Sequence, residues 1–115
     1  MIRPKKIQVK FFRKEAGKEP VRDWLKSLAV EDRKAIGEEI KTVEFGWPVG
    51  MPIVKSIAGY PGMWEVRINI RDGIARILFT LKEGEMVLLH GIVKKSQKIP
   101  KKELDLAKKR MDEIG

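Results

Sequence analysis

Between Trp64 and Lys94 the chain carries three consecutive strand signals separated by two short turns, and no other feature limits its fold so tightly. Trp64, Val66, Ile68 and Ile70 alternate with Glu65, Arg67, Asn69 and Arg71. A period of two predicts a strand with one buried and one wet face. Arg71-Asp72-Gly73 follows as a hairpin turn, because an Asp-Gly pair tolerates positive φ. Ile74 to Lys82 is the predicted return strand, and Glu83-Gly84-Glu85 is a second turn. Met86 to Lys94 is apolar on both faces, with Val87, Leu89 and Val93 against Leu88 and Ile92. That pattern predicts a central strand covered on both sides.

The flanking segments supply helices. Ile7 to Phe12 alternates as a short strand, and Glu15 to Glu19 reads as a loop broken by Gly17. Pro20 suits the first position of a helix, and Val21, Trp24, Leu25 and Leu28 follow at helical spacing. Glu31 or Asp32 opens a second helix with Ile36, Ile40 and Val43 on one face, ended by Gly46 and Pro48. Gly46 to Gly62 is rich in glycine and proline and reads as a long irregular connection, with room for a short strand at Ile53 to Ile57. Pro100 opens a final helix with Leu104, Ala107, Met111 and Ile114 on one face. The order strand, helix, helix, three antiparallel strands, helix predicts an α+β domain in which helices pack on a small antiparallel sheet. No linker or repeat divides the chain, so residues 1–115 are expected to form one domain. Hydrophobic residues make up 43% of the 115, enough for a core without staples.

Charge narrows the function. Lys and Arg number 25 against 16 Asp and Glu, a net charge of +9. Such an excess favours polyanionic partners, although a Lys-rich surface also serves solubility alone. The distribution favours a binding face. Met1 to Lys14 holds Arg3, Lys5, Lys6, Lys10, Arg13 and Lys14 with no acid, and Lys94 to Lys102 holds Lys94, Lys95, Lys98, Lys101 and Lys102, again with none. Cysteine is absent, which excludes disulfides and thiolate metal sites and suits a reducing cytosol. No run of 18 apolar residues spans a membrane, and no signal segment follows the basic N-terminus. A cytoplasmic location is therefore expected.

Few catalytic patterns are available. His90 is the sole histidine, and no zinc, calcium, Walker, dinucleotide or nucleophile-elbow motif is present, so neither a metal nor a cofactor is expected. What remains is a set of cations on the three-strand meander. Arg67 lies on the polar face of the first strand, and Arg76 interrupts an apolar run. Lys94 and Lys95 end the third strand, Lys98 follows, and His90 shares parity with Lys94. If the register brings Arg67, Arg76, His90 and Lys94 to one sheet face, they form a compact phosphate site, since guanidinium forks match phosphate oxygens. Each residue also has a plainer reading. Arg67 can pair with Glu65 or Asp72, His90 can be a satisfied buried side chain, and the lysines can be a solvated turn. Trp24, Trp47, Trp64 and Phe79 read as core rather than as base-stacking platforms.

The segments Gly62-Met63-Trp64-Glu65-Val66-Arg67, Arg76-Ile77-Leu78-Phe79 and Leu88-Leu89-His90-Gly91-Ile92-Val93-Lys94-Lys95-Ser96-Gln97-Lys98-Ile99-Pro100 together resemble the RelE/HigB superfamily of type II toxin–antitoxin toxins, in its phage-derived HigB-like branch. Val21-Arg22-Asp23-Trp24-Leu25 matches the first helix of that branch. The resemblance implies a RelE-like sheet with two N-terminal helices and a C-terminal one. It implies metal-free cleavage of messenger RNA on the ribosome, in which the 2′-hydroxyl attacks the adjacent phosphate and cations stabilise the charge that develops. Arg67 and Arg76 match the family's basic residues on the paired strands, and Lys94 and Lys95 those at the end of the last strand. His90 is a candidate acid or base. Arg71, Lys98, Lys101 and Lys102 flank the cluster and are the expected further RNA contacts. The implied partner is an acidic antitoxin of the helix-turn-helix kind that covers the basic face or keeps the toxin off the ribosome. The oligomeric state is left open.

The chain departs from the superfamily in its tyrosines. Ala75 stands where many members carry a tyrosine before the arginine, and the one tyrosine, Tyr60, falls in the long loop. Either His90 or a lysine moves the proton, or catalysis leans on phosphate stabilisation and positioning. Two alternatives share the fold: a non-catalytic RNA-binding module and a gyrase-directed toxin.

Overall fold

The computed structural model describes residues 4–95 and 98–114. Expectations that involve Arg3, Ser96 and Gln97 lie outside the described residues. The elements follow in the order β1 (Gln8–Phe11), α1 (Pro20–Ser27), α2 (Val30–Gly46), β2 (Val54–Ser56), β3 (Met63–Ile70), β4 (Gly73–Lys82), β5 (Glu85–Lys94) and α3 (Lys101–Ile114). The five strands form one sheet in the order β1-β5-β4-β3-β2.

The sheet is α+β in the expected manner but mixed rather than purely antiparallel. Strands β2 to β5 pair antiparallel, whereas β1 lies parallel to β5, with Val9 opposite Met86 and Phe11 opposite Leu88. A parallel neighbour needs a long crossover. Here that connection includes both N-terminal helices and strands β2, β3 and β4. Alternation along a strand specifies its faces but not its direction, so the sequence pattern carried no sign of this.

Two apolar layers sandwich the sheet. On one face, α1 and α2 cover a core that includes Val21, Ile36, Val43, Val66, Ala75, Ile77, Phe79 and Leu88. Trp47 lies edge-on to Trp64 at 5.4 Å and to Phe79 at 6.0 Å, so these aromatics belong to that layer. On the other face, α3 covers Met63, Leu78, Val87 and Leu89 through Leu104, Ala107 and Met111. Each fully buried aliphatic side chain, such as Ile36 or Leu89, stabilises the fold by about 1.5–3 kcal/mol relative to exposure. Helix α2 begins at Val30, slightly earlier than Glu31 or Asp32, and its preceding residue Ala29 makes no side-chain cap. The two acids then fall in the first turn, where they complement the helix dipole.

Two local features differ from the sequence reading. The turn between β3 and β4 uses no positive φ. Among the described residues the left-handed pair at a hairpin is Glu83 (φ 51°) and Gly84 (φ 78°), at the β4–β5 connection. The second difference is a bulge in β5. Phe79 pairs with Leu88 but Leu78 pairs with His90, leaving Leu89 as the extra residue. A bulge shifts the strand's parity by one residue. Leu88 therefore packs under α1 and α2, Leu89 and His90 both face α3, and Ile92 and Val93 exchange the faces that uninterrupted alternation assigns them.

The parallel edge strand is secured from α2. Glu44 is buried, and its carboxylate accepts a hydrogen bond from the Val9 backbone N–H at 2.8 Å while pairing with Lys5 at 3.2 Å. Its own carbonyl accepts from the N–H groups of Lys6 and Ile7. Glu44 thus satisfies backbone donors on the outer edge of β1, which blunts that edge against pairing with another chain.

Candidate nucleic-acid interface

The register brings the sequence candidates to one side of the sheet. Arg67 on β3 lies directly opposite Arg76 on β4, Arg76 lies opposite Ile92, Leu78 opposite His90, and Ile74 opposite Lys94. Arg67, Arg76, His90 and Lys94 therefore share the face that α3 covers in part. They are not equally accessible. Arg76 is fully buried, Arg67, His90 and Lys94 are half-buried, and Lys95 is exposed.

Two arginines directly opposite one another in a sheet repel, and the arrangement needs a counter-charge. Glu65 supplies one. It sits two residues before Arg67 on the same face, is only 5% exposed, and places Oε2 3.5 Å from the Nε of Arg76. The strand's polar face is therefore buried at this point rather than wet, because a pair of opposite charges can enter the interior together where one cannot. Burial pushes the Glu65 carboxyl above its ordinary pKa, against the pull of Arg76, Arg67 and Lys55. Of the two acids named for Arg67 by the sequence, Glu65 is thus engaged with Arg76. Alternation gave Glu65 no sign of burial, since that depends on the layer above it.

His90 is held from α3. Its Nε2 is hydrogen-bonded to the carboxylate of Glu103, and the Nη1 of Arg110 approaches its Nδ1 at 3.4 Å. A guanidinium only donates and a carboxylate only accepts. Nδ1 thus faces a donor and Nε2 faces an acceptor, an arrangement suited to a proton on Nε2. The same Arg110 Nη1 donates to the Leu89 carbonyl at 2.7 Å, at the bulge, and its guanidinium lies 5.8 Å from the Phe12 ring. Burial lowers the Arg110 pKa, with Glu113 and Glu103 opposing the shift. Neither Glu103 nor Arg110 was singled out by sequence. The signal was present in their i, i+7 spacing on the final helix, but only the bulge turns His90 towards them.

Further cations lie around this layer. Arg71 is exposed beside the β3–β4 turn, Lys98 is exposed after β5, and Lys101 and Lys102 are exposed at the start of α3. Lys101 is paired with Asp105 at 2.7 Å, which also accepts the Tyr60 hydroxyl at 2.7 Å. The Tyr60 bond raises the Tyr60 pKa, and the bonds from Lys101 first and Tyr60 second lower that of Asp105. Tyr60 therefore fastens the long loop to α3 and lies in the α3-side layer. Among the described residues no three His, Asp or Glu side chains converge to hold a metal ion, and no helix is long and apolar enough to cross a membrane.

The fold and this site define a small basic α+β protein with paired arginines beneath a lysine-rich strand end. The chain matches the phage-derived Gp49-like protein family over residues 23–112, and it belongs to that family of toxin-like proteins of toxin–antitoxin systems. No curated protein matches the chain.

Proposed function

We propose that this chain is the toxin of a type II toxin–antitoxin system of the HigB-like kind, and that it cuts messenger RNA in the cytoplasm, on the ribosome and without a metal. The observation that carries the reading is the direct opposition of Arg67 and Arg76 beside Lys94. Like charges facing each other weaken a sheet, and a phosphate brought to their face repays that cost. Arg67, Lys94 and Lys95 have solvent access and contact the scissile phosphate and its neighbours. Arg76, held by Glu65 beneath them, acts through its field, which is felt strongly in a low-dielectric layer. Lys98, Lys102 and Arg71 extend the track along the RNA backbone, with Lys101 joining when it leaves Asp105. The RNA 2′-hydroxyl is the nucleophile, and the products are a 2′,3′-cyclic phosphate and a 5′-hydroxyl. His90 with Glu103 is the group best suited to exchange the proton, because its Nε2–H already lies on a carboxylate. The expected protein partner is an acidic antitoxin.

A second reading is a basic RNA-binding module without cleavage. It is favoured by the engagement of both Arg76 and His90 with carboxylates. Induction of the wild type, Arg67→Ala and Lys94→Ala in a bacterial host, with 5′-end mapping of transcripts, separates the two. New ends inside translated regions, lost in both variants, support the ribonuclease. Intact transcripts with normal growth remove it and leave the binder. Intact transcripts with arrested growth and DNA damage redirect attention to gyrase.

A further inference from the structure

At the other end of the sheet, between the β1 edge and α3, lies a groove of about 710 Å³. That volume is in the range of built binding sites. Strand β4 pairs with β5 at Lys82–Glu85 beside this groove and at Ile74–Lys94 beside the arginine layer. Ten residues of strand separate those ends by about 30 Å.

The groove has an apolar floor and a charged rim. Phe11, Phe12, Val87 and Ile114 contribute to the floor, together with Leu106. Leu106 is half-buried yet joins neither core cluster. It lies with Arg110 and Glu113 at positions i, i+4 and i+7, so α3 has a second stripe turned into the groove beside the one that packs on the sheet. The lining holds six cations against three carboxylates. One carboxylate, Glu85, is already paired with Lys10 at 3.8 Å. Arg13, Lys14 and Lys109 on the rim are exposed. The loop bearing Arg13 and Lys14 is set by backbone bonds from Lys14 to Lys18 and from Gly17 to Lys14, with Gly17 at φ 92°. The rim is therefore formed before anything binds, which lowers the ordering cost of association.

We propose that this groove is a docking site for an acidic, amphipathic segment of a partner protein. Its leucine-like side chains would enter beside Leu106 and Ile114, and its carboxylates would meet Arg13, Lys14 and Lys109. Charge complementarity selects an acidic occupant. The floor selects a peptide over RNA: it is aliphatic at Val87, Leu106 and Ile114, and Phe12 is buried beneath the Arg110 guanidinium and offers no open face for a base. The inference rests on the toxin reading only in taking the partner to be a protein inhibitor. It assigns that partner a site whose far end, at Lys82 and Glu85, lies about 20 Å along the strands from Arg67 and about 30 Å from Lys94, so docking there leaves the arginine layer uncovered.

The test is an NMR titration of the ¹⁵N-labelled full chain with a synthetic peptide of about 14 residues, built from glutamate with leucine at helical spacing. Two further titrants are the same peptide with serine for leucine, and oligouridylate. The leucine peptide is expected to shift the amides of Phe12, Arg13, Leu106 and Lys109 and to leave those of Arg67 and Lys94 in place. The serine peptide is expected to bind at least about tenfold more weakly, as is the leucine peptide to Leu106→Glu. The double charge reversal Arg13→Glu, Lys109→Glu alters exposed side chains only and should have the same effect in a folded chain. Equal binding of the serine and leucine peptides, shifts centred on Arg67 and Lys94, or stronger perturbation of the groove by oligouridylate would each overturn the proposal. Transcript mapping uses no peptide, so it judges the ribonuclease reading separately.

Discussion

Gly91 provides the sharpest test of how the site strand is held. A Cβ built on Gly91 would lie 2.4 Å from Cε3, 2.5 Å from Cζ3 and 2.7 Å from Cδ2 of Trp24. Those atoms belong to a rigid ring, and Gly91 is itself buried on β5 between His90 and Ile92. The ring cannot yield by a rotamer adjustment at its tip, so Gly91→Ala must displace α1 or the strand. Overpacking of this kind costs about 1–3 kcal/mol. Unfolding entropy of ~2.1 cal/mol/K per residue gives about 240 cal/mol/K for a chain of this length. Each kcal/mol then lowers Tm by about 4 °C, and the variant should melt about 4–12 °C below the wild type. Differential scanning calorimetry measures the shift. The mechanism is tested by a double-mutant cycle with Trp24→Leu, which removes the clashing atoms. Gly91→Ala should then cost at least about 1 kcal/mol less than in the wild type. A Tm within a degree of wild type, or equal costs in the two backgrounds, would refute the argument that Trp24 excludes a side chain at position 91.

Glu65 should leave a pH signature. Its folded-state pKa is raised above 4.5 by burial, so its contribution to stability is complete below that pH and is lost as the pH rises through the folded value. Urea unfolding should therefore show the wild type gaining stability relative to Glu65→Gln as the pH falls from neutral towards 4.5, and Arg76→Met should steepen the trend by removing the main opposing charge. A wild-type advantage that shrinks on acidification contradicts the assignment. Because the chain has one tyrosine, ultraviolet titration reads Tyr60 directly. Its phenol should ionise above 10.0, and Asp105→Asn should return it towards that value. RNA binding should weaken with salt, and Arg67→Ala or Lys94→Ala should each reduce the slope of log K against log salt by about 0.7, the single-strand value per phosphate contact. Unchanged slopes in both variants would remove these residues from the interface.

Much of the architecture was legible because it is encoded locally. Pro20 at the first helical position, Ile36, Ile40 and Val43 at helical spacing, and the alternation from Trp64 to Ile70 each report on a single element. The candidate arginines were legible for the same reason: Arg67 falls on the polar parity of its strand, and Arg76 stands out in an apolar run. Their partners were less so. Glu65 looked solvated because its neighbours in sequence alternate, while its burial comes from the layer over β3 and β4. Glu103 and Arg110 looked like the outer face of a helix, and they meet His90 only because an extra residue in β5 turns the ring towards α3.

The sequence by itself determined the element types, most of their boundaries, the meander of three strands and the basic character. All of these follow from periods, turn residues and charge density within short windows. Tertiary structure alone decided the parallel placement of β1, the β5 bulge, the burial of Glu65 with Arg76, and the groove between β1 and α3. Each of these depends on groups far apart in the chain, such as Glu44 and Val9 or Leu89 and Arg110. Their pairing is selected by the desolvation of polar groups during packing, a quantity that no local pattern records.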